Sequence, residues 1–378
     1  MKTWLLRVAL AEAILVNALI ACAQPTVSEL PRRAALGIAL AIDSAGAVVA
    51  SAVPDGTAGA EAGMRAGDVI KALDGTPVTS MVQVQSIIGR HRGGDSLAID
   101  VVRGGEASRI VARLKTFPYE QLPNTVFDYG QVTLPDGVRL RTIVSRPAVS
   151  AARAPAVLFL QGGGCSSIDV PRAPPNIWPM SLLVAMATRG FVTMRVDKPG
   201  AGDSEGPPCS EAGFREDLAG YRAALHALVA NPVVDSSRVF LFGDSLGGFI
   251  APLLARETRV AGISAYGTIA FTPTPYPGRS DLFFREIADV DILAAWAALD
   301  VRAQLLHGTF DAVTTASDHA KIAAAVNATH PGLAVHREVE GVDHCGTRQE
   351  TADEGRNQCG SGKQVPELVE AVLEFISS

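Results

Sequence analysis

From residue 127 onward, short and densely apolar runs alternate with longer stretches whose apolar residues recur every three or four positions. The apolar runs read AVLFLQ, FVTMRVD, RVFLFG, VAGISAYG, VRAQLLHG and LAVHREVEG. The amphipathic stretches lie near 179–189, 211–230, 246–256, 316–327 and 365–377. A run apolar at consecutive positions, such as Val239, Phe240, Leu241 and Phe242, predicts a strand covered on both faces. Alternation of such strands with helices predicts a doubly wound, mostly parallel α/β sheet. Ahead of it, FDYGQVTL and VRLRTIVSRP flank Pro135, Asp136 and Gly137 and predict an opening hairpin.

A different pattern fills residues 34–115. Strands there are short and alternating, with brief helical segments near 58–64 and 80–91. The stretch from Pro54 to Val78 contains Ala62, Gly63, Met64, then Gly67, Asp68, Val69, Ile70, then Asp74 and Gly75. It resembles the core of bacterial PDZ domains, so a small β-rich module is expected ahead of the α/β domain. The resemblance implies that Leu36, Gly37 and Ile38 form the loop whose N–H groups hold a peptide's terminal carboxylate, beside a strand edge open to an added strand. A rigid spacer or an intramolecular lid is the other use of such a module. Residues 116–126, TFPYEQLPNTV, carry two prolines without periodicity and are expected to link the module to a domain spanning 127–378.

Composition narrows the class. The chain has 378 residues, 48% hydrophobic and 19% charged, which describes a well-cored globular protein. Its net charge of −6 argues against a nucleic-acid surface. Residues 1–23 place Lys2 and Arg7 before an apolar run that ends in small residues, as an export signal does. Ala21, Cys22 and Ala23 fit a cleavage site, while Leu19, Ile20, Ala21 and Cys22 resemble a bacterial lipoprotein box with Cys22 lipidated. A transmembrane anchor is the third route, disfavoured because Glu12 and Asn17 break the run. The expected location is periplasmic, free or lipid-anchored. Four cysteines remain, and an oxidising compartment would allow two disulfides. The pairing expected is Cys345 with Cys359 and Cys165 with Cys209, each tying a loop at the active-site rim; free thiols in a cytosolic protein are the alternative.

The chemistry concentrates in RVFLFGDSLGGFIAPLLAR, residues 238–256, where a strand meets a helix at Ser245. G-x-S-x-G on a strand-turn-helix is the serine nucleophile elbow. With 36 glycines the pattern recurs by chance, and Gly202 to Gly206 repeats it around Ser204. Prolines on both sides of Ser204 forbid a helix there, and Ser96, in a partial repeat, leads into a strand. Together these features make residues 127–378 resemble an α/β-hydrolase, in which nucleophile, acid and histidine follow in that order.

The carboxylate then falls to Asp311, after VRAQLLHG, whose competing role is a helix N-cap. The base falls to His344, between the last strand and the last helix. Oxyanion donors are expected from the N–H of Leu246 and from the glycine loop Gln161 to Cys165, which resembles those of esterases and peptidases in this fold. Gly163 is the glycine chosen; each donor contributes roughly 3 kcal/mol in the transition state. Arg195, Asp197, Pro199, Gly200, Gly202, Ser204 and Gly206 match a pocket-supporting loop typical of the fold. No H-E-x-x-H occurs and the cysteines lack zinc spacing, so neither metal nor cofactor is expected.

The resulting expectation is an exported serine hydrolase that cleaves carboxylic esters through an acyl-enzyme. A peptidase fed by the PDZ groove is the second reading, and a peptide-binding adaptor with an inert hydrolase domain is the third. Residues 271–300 are expected to form a small cap, in which Phe271, Tyr276, Phe283, Phe284 and Trp296 either line the pocket or make the cap's own core.

Overall fold

The computed structural model describes residues 29–149, 153–169 and 178–378. The leader expected over residues 1–23, with Cys22, lies outside them. Among the described residues, no helix is long and apolar enough to cross a membrane.

The amino-terminal module comprises β1 (Ala34–Ala35), β2 (Ala39–Ile42), β3 (Val48–Ala52), α1 (Ala58–Glu61), β4 (Val69–Leu73), β5 (Thr76–Pro77), α2 (Met81–Gly89), β6 (Ser96–Arg103), β7 (Glu106–Arg113) and β8 (Lys115–Thr116). Its main sheet runs β2-β3-β4-β6-β7, so β2 is an edge strand, and α2 packs beside it. Side chains alternate along β6, where Leu97, Ile99 and Val101 point into a core shared with Val84, Ile87 and Met64. Leu36 to Ile38 join β1 to β2; the Leu36 carbonyl accepts the N–H of Gly59 at 2.9 Å.

The second domain continues with β9 (Thr125–Thr133), β10 (Arg139–Pro147), β11 (Ala154–Leu160), α3 (Met180–Thr188), β12 (Val192–Val196), α4 (Phe214–Val229), β13 (Val234–Asp244), α5 (Leu246–Ala255), β14 (Gly262–Tyr266), α6 (Asp281–Ala288), α7 (Ile292–Ala297), β15 (Ala303–Gly308), α8 (Ala316–Thr329), β16 (Ala334–Val339), α9 (Ala352–Asn357) and α10 (Pro366–Ser377). The eight-stranded sheet runs β16-β15-β14-β13-β11-β12-β10-β9. Strands from β12 to β16 are joined in parallel, and β9 and β10 form the expected antiparallel hairpin at one edge.

Alternation along the central strands explains their unbroken apolar sequences. Val239 and Leu241 of β13 join one core with Leu158, Leu160 and α4, α5 and α8. Phe240 and Phe242 face the other side and pack with Phe159, α3 and α10. A period-two strand with both faces covered therefore reads as continuously hydrophobic.

In the insertion after β14, three of the five aromatics take the core role. Phe283, Phe284 and Trp296 are buried in the same core as Phe214, Phe249 and Leu305, with α6 packed on α4 and α7 between α5 and α8. These helices complete the layer on one sheet face, because their apolar residues recur at helical spacing toward it. Phe271 is 47% exposed, and Tyr276 reaches Gly163 in the glycine loop after β11.

Residues 117–121, within the expected linker, are tied to buried charges. Arg32 is buried between Asp169 and Asp203, the latter at 2.7 Å, with its guanidinium 4.8 Å from the Tyr119 ring and 4.5 Å from the Tyr129 ring. Its other nitrogen donates to the Pro118 carbonyl at 2.5 Å. Glu120 pairs with buried Arg195 at 2.8 Å. Both ends of the small module are thus fastened to the second domain through charges removed from water. Truncating one partner of such a pair leaves the other charge uncompensated. Arg32→Met is expected to lower unfolding free energy by roughly 3–5 kcal/mol, measured by urea denaturation. A loss below about 1 kcal/mol would show that Arg33 and Arg141 alone neutralise the two aspartates.

Candidate active site

Four loops at the carboxyl ends of adjacent parallel strands converge, which is where open α/β sheets place their ligands. The turn after β13 holds Ser245 at φ +53° and ψ −117°, a sparsely populated conformation for a residue with a Cβ. Its N–H donates to the Tyr266 carbonyl at 2.8 Å and its carbonyl accepts from Gly248 at 2.9 Å, so the turn is held from both sides. At Gly247 a Cβ would collide with the Leu160 carbonyl oxygen, so helix α5 approaches β11 only because that position is glycine.

The loop after β16 carries His344. Asp343 is fully buried and accepts from the N–H of Thr347 at 2.9 Å, its hydroxyl at 2.8 Å, Gln349 Nε2 at 2.6 Å and the N–H of Gly360 at 3.0 Å. The Tyr266 hydroxyl donates to the Asp343 carbonyl. Cys345 is bridged to Cys359 beside this carboxylate, and Cys165 in the glycine loop is bridged to Cys209. Asp343, Cys345 and Cys359 are near enough to hold a metal ion, but both sulfurs belong to the disulfide.

His344 Nε2 lies 3.0 Å from Ser245 Oγ, and its Nδ1 lies 2.8 Å from Asp311 Oδ2. Asp311 Oδ1 accepts the N–H groups of Val313 at 2.7 Å and Thr314 at 2.8 Å, and Oδ2 accepts the Thr314 hydroxyl at 2.8 Å. Burial alone would raise the Asp311 pKa, but His344 and Thr314 outweigh it and hold it below the usual carboxylate range. Burial pulls His344 down, yet the hydrogen bond and charge of Asp311, with Asp244 and Asp343 behind, leave it above its ordinary value. The N-cap of α8 is Thr315, in a capping box with Asp318, so the cap role considered for Asp311 is filled elsewhere.

Leu246 opens α5, and an N–H at that position has no intrahelical acceptor. Facing it is the glycine loop: a Cβ on Gly162 would stand 3.1 Å from Ser245 Cβ, and one on Gly163 would collide with the Tyr276 hydroxyl. The Ser204 hydroxyl donates to the Asp197 carbonyl at 3.1 Å and accepts from the N–H of Arg141 at 2.9 Å, so it braces the support loop. His307 lies 3.3 Å from the Thr314 carbonyl through Nε2 and thereby steadies the acid loop.

Three residues at this site are specified by none of the sequence motifs above. Asp244, directly before Ser245, meets Trp178 Nε1 at 3.3 Å, and burial pushes its carboxyl up to about 6 despite the nearby His344. Trp178 stacks edge-on against Phe242 and Tyr266 beneath the site. Lys198 is buried under the glycine loop. For Asp244 the available signal was a charge at the end of an apolar strand, since a chain with only 19% charge places few of them there.

Fold and site together define a serine hydrolase of the α/β-hydrolase class with an amino-terminal PDZ domain. The chain belongs to the X-Pro dipeptidyl-peptidase (S15) family, whose model matches residues 136–329, and a PDZ domain model matches residues 34–114. The S15 match includes Ser245 and Asp311 and ends before His344.

Among known proteins, the magnetosome formation protease MamE of Magnetospirillum gryphiswaldense is 28% identical over 206 residues, 53% of this chain and 22% of that protein. A probable periplasmic serine endoprotease, DegP-like, of Ectopseudomonas mendocina is 34% identical over 76 residues, 20% of this chain and 16% of that one. The chain therefore spans less than a quarter of the length of either relative. An acylaminoacyl peptidase solved with Z-Gly-Gly-Phe-chloromethyl ketone shares the fold, with a TM-score of 0.54 at 11% identity over 76% of this chain and 55% of that one.

Proposed function

We propose that the protein is an exported hydrolase that cleaves carboxylic esters through a covalent ester on Ser245. The observation that carries this reading is the unbroken hydrogen-bond chain from Ser245 Oγ through His344 to Asp311. In the proposed course, Ser245 Oγ attacks the carbonyl carbon while its proton passes to His344 Nε2. Asp311 keeps Nδ1 protonated and balances the imidazolium. The N–H groups of Leu246 and Gly163 meet the oxyanion. Collapse expels the alkoxide, which takes the proton from Nε2. Water then attacks the acyl-enzyme, returning the proton through His344 to Ser245 and releasing the acid.

Esters come first because an alkoxide leaves more readily than an amine anion, so a competent serine shows ester turnover even where its natural substrate is an amide. A peptide substrate is the second reading. It is favoured by the S15 match and by the unpaired β2 edge beside Leu36, Gly37 and Ile38, which an extended peptide end would extend by one strand. Export is supported by the two disulfides and by the periplasmic DegP-like relatives. A lipid anchor at Cys22 remains part of this proposal, drawn from sequence alone.

The test is turnover of short acyl p-nitrophenyl esters and of peptide p-nitroanilides by the full chain. Ester kcat/KM above anilide kcat/KM is expected. Anilide turnover as fast as ester turnover would move the reading to a peptidase, and a folded protein inactive on both would overturn it.

A further inference from the structure

Lys198 is buried directly beneath the glycine loop, and its ammonium donates to two carbonyls of that loop, those of Gly162 and Gly164, the second at 2.8 Å. In a trans peptide the C=O and the following N–H point in opposite directions. Drawing the Gly162 carbonyl down onto Lys198 therefore turns the N–H of Gly163 to the opposite side of the loop, and Gly162 is the residue that abuts Ser245. A glycine run has no side chains to choose this orientation for itself, and either face of each peptide is open to it.

We infer that Lys198 is the positioning residue of the oxyanion hole, fixing the Gly162–Gly163 peptide with its N–H toward the carbonyl oxygen of the substrate. The inference rests on the acyl-enzyme reading given above.

Lys198 also forms a buried ion pair with Asp217 Oδ2 at 3.7 Å, a carboxylate shared with Arg279 at 2.9 Å, so its shorter contacts are those to the two loop carbonyls. The charged groups around it are Asp217 from α4, Arg279 from the insertion and Asp244 from the end of β13. At the start of the same loop the Tyr221 hydroxyl accepts the N–H of Gln161 at 3.2 Å. Burial pulls the Lys198 ammonium down to about 8, with Asp217 opposing. The ammonium that makes the two-carbonyl clamp is thus charged well below that pH and is lost as pH rises through it.

The test compares the wild-type chain with Lys198→Met and Lys198→Arg by steady-state ester hydrolysis and by the rate of fluorophosphonate addition to Ser245, each over a range of pH. Lys198→Met is expected to lower kcat about a hundredfold with KM changed less than about threefold, as loss of one oxyanion donor does. Lys198→Arg restores part of kcat. The wild-type decline above pH 8 disappears in Lys198→Met. If Lys198→Met fails to fold, Lys198→Arg and the wild-type alkaline limb carry the test. A labelled wild type matched in rate and pH profile by Lys198→Met, or by Lys198→Arg with the limb unmoved, overturns the role of the lysine alone. A folded wild type unlabelled at Ser245 overturns the acyl-enzyme reading and this inference with it.

Discussion

Ser245→Ala is expected to reduce ester turnover about a million-fold and to abolish fluorophosphonate labelling, with the protein still folded. The size follows from the arrangement: without Oγ, His344 Nε2 has no proton to take, and neither Asp311 nor the oxyanion donors can compensate. What remains is catalysis by the binding groups acting on water, roughly a thousandfold over the uncatalysed reaction. The backbone gives an independent check. Ser245 at φ +53° and ψ −117° carries strain on the order of 1–3 kcal/mol, which alanine keeps and glycine relieves. Ser245→Gly should therefore be as inactive as Ser245→Ala yet melt at a higher temperature. Equal melting temperatures would mean that the elbow stores no strain. An adduct on Ser204 would overturn the assignment of the nucleophile, and an unlabelled folded wild type would restore the adaptor reading.

The elements that position this site were legible because each rests on local chemistry. Consecutive apolar residues marked β11, β13 and β15, and the glycines around Ser245 marked a turn too tight for side chains. The loops after β13, β15 and β16 then bring His344 within hydrogen-bond reach of both Ser245 and Asp311. The role of the insertion's aromatics stayed open in the sequence for a physical reason: Phe283, Phe284 and Trp296 have the same spacing whether they face a pocket or a core, and only the gap between α4, α5 and α8 decides. Lys198 was illegible because its partners are backbone carbonyls 34 and 36 residues away, and backbone carbonyls leave no signature in sequence. The same holds for the junction, where Arg32 meets Asp169 and Asp203 across 137 and 171 residues. Buried ion pairs between distant segments are set by how domains dock, and the composition of residues 116–126 marks a linker without marking what its side chains dock against.

Asp311→Asn is expected to lower kcat about ten-thousandfold with little change in KM. Oδ1 of Asp311 accepts two backbone N–H groups, from Val313 and Thr314, so the asparagine oxygen must stay there and its NH2 must take the place of Oδ2. That NH2 donates to His344 Nδ1, which then has to be the unprotonated nitrogen. The imidazole proton is forced onto Nε2, the atom that should accept from Ser245. The geometry survives while the base is in the wrong tautomer. The pH dependence tests the same account from another side. His344 acts as base only when neutral, so activity rises with pH through its raised pKa; without Asp311, burial dominates and this acid limb moves to lower pH. Stability should follow by linkage. The depressed pKa of Asp311 contributes stability that is present above its unfolded value of about 4 and lost as pH falls through the folded one. The raised pKa of His344 contributes stability that is present below about 6.5 and lost as pH rises through its folded value. The difference in unfolding free energy between wild type and Asp311→Asn should therefore be largest between about pH 4 and 6.5 and shrink on either side. A difference independent of pH would mean that the Asp311–His344 hydrogen bond carries no charge, and the imidazolium step would have to be abandoned.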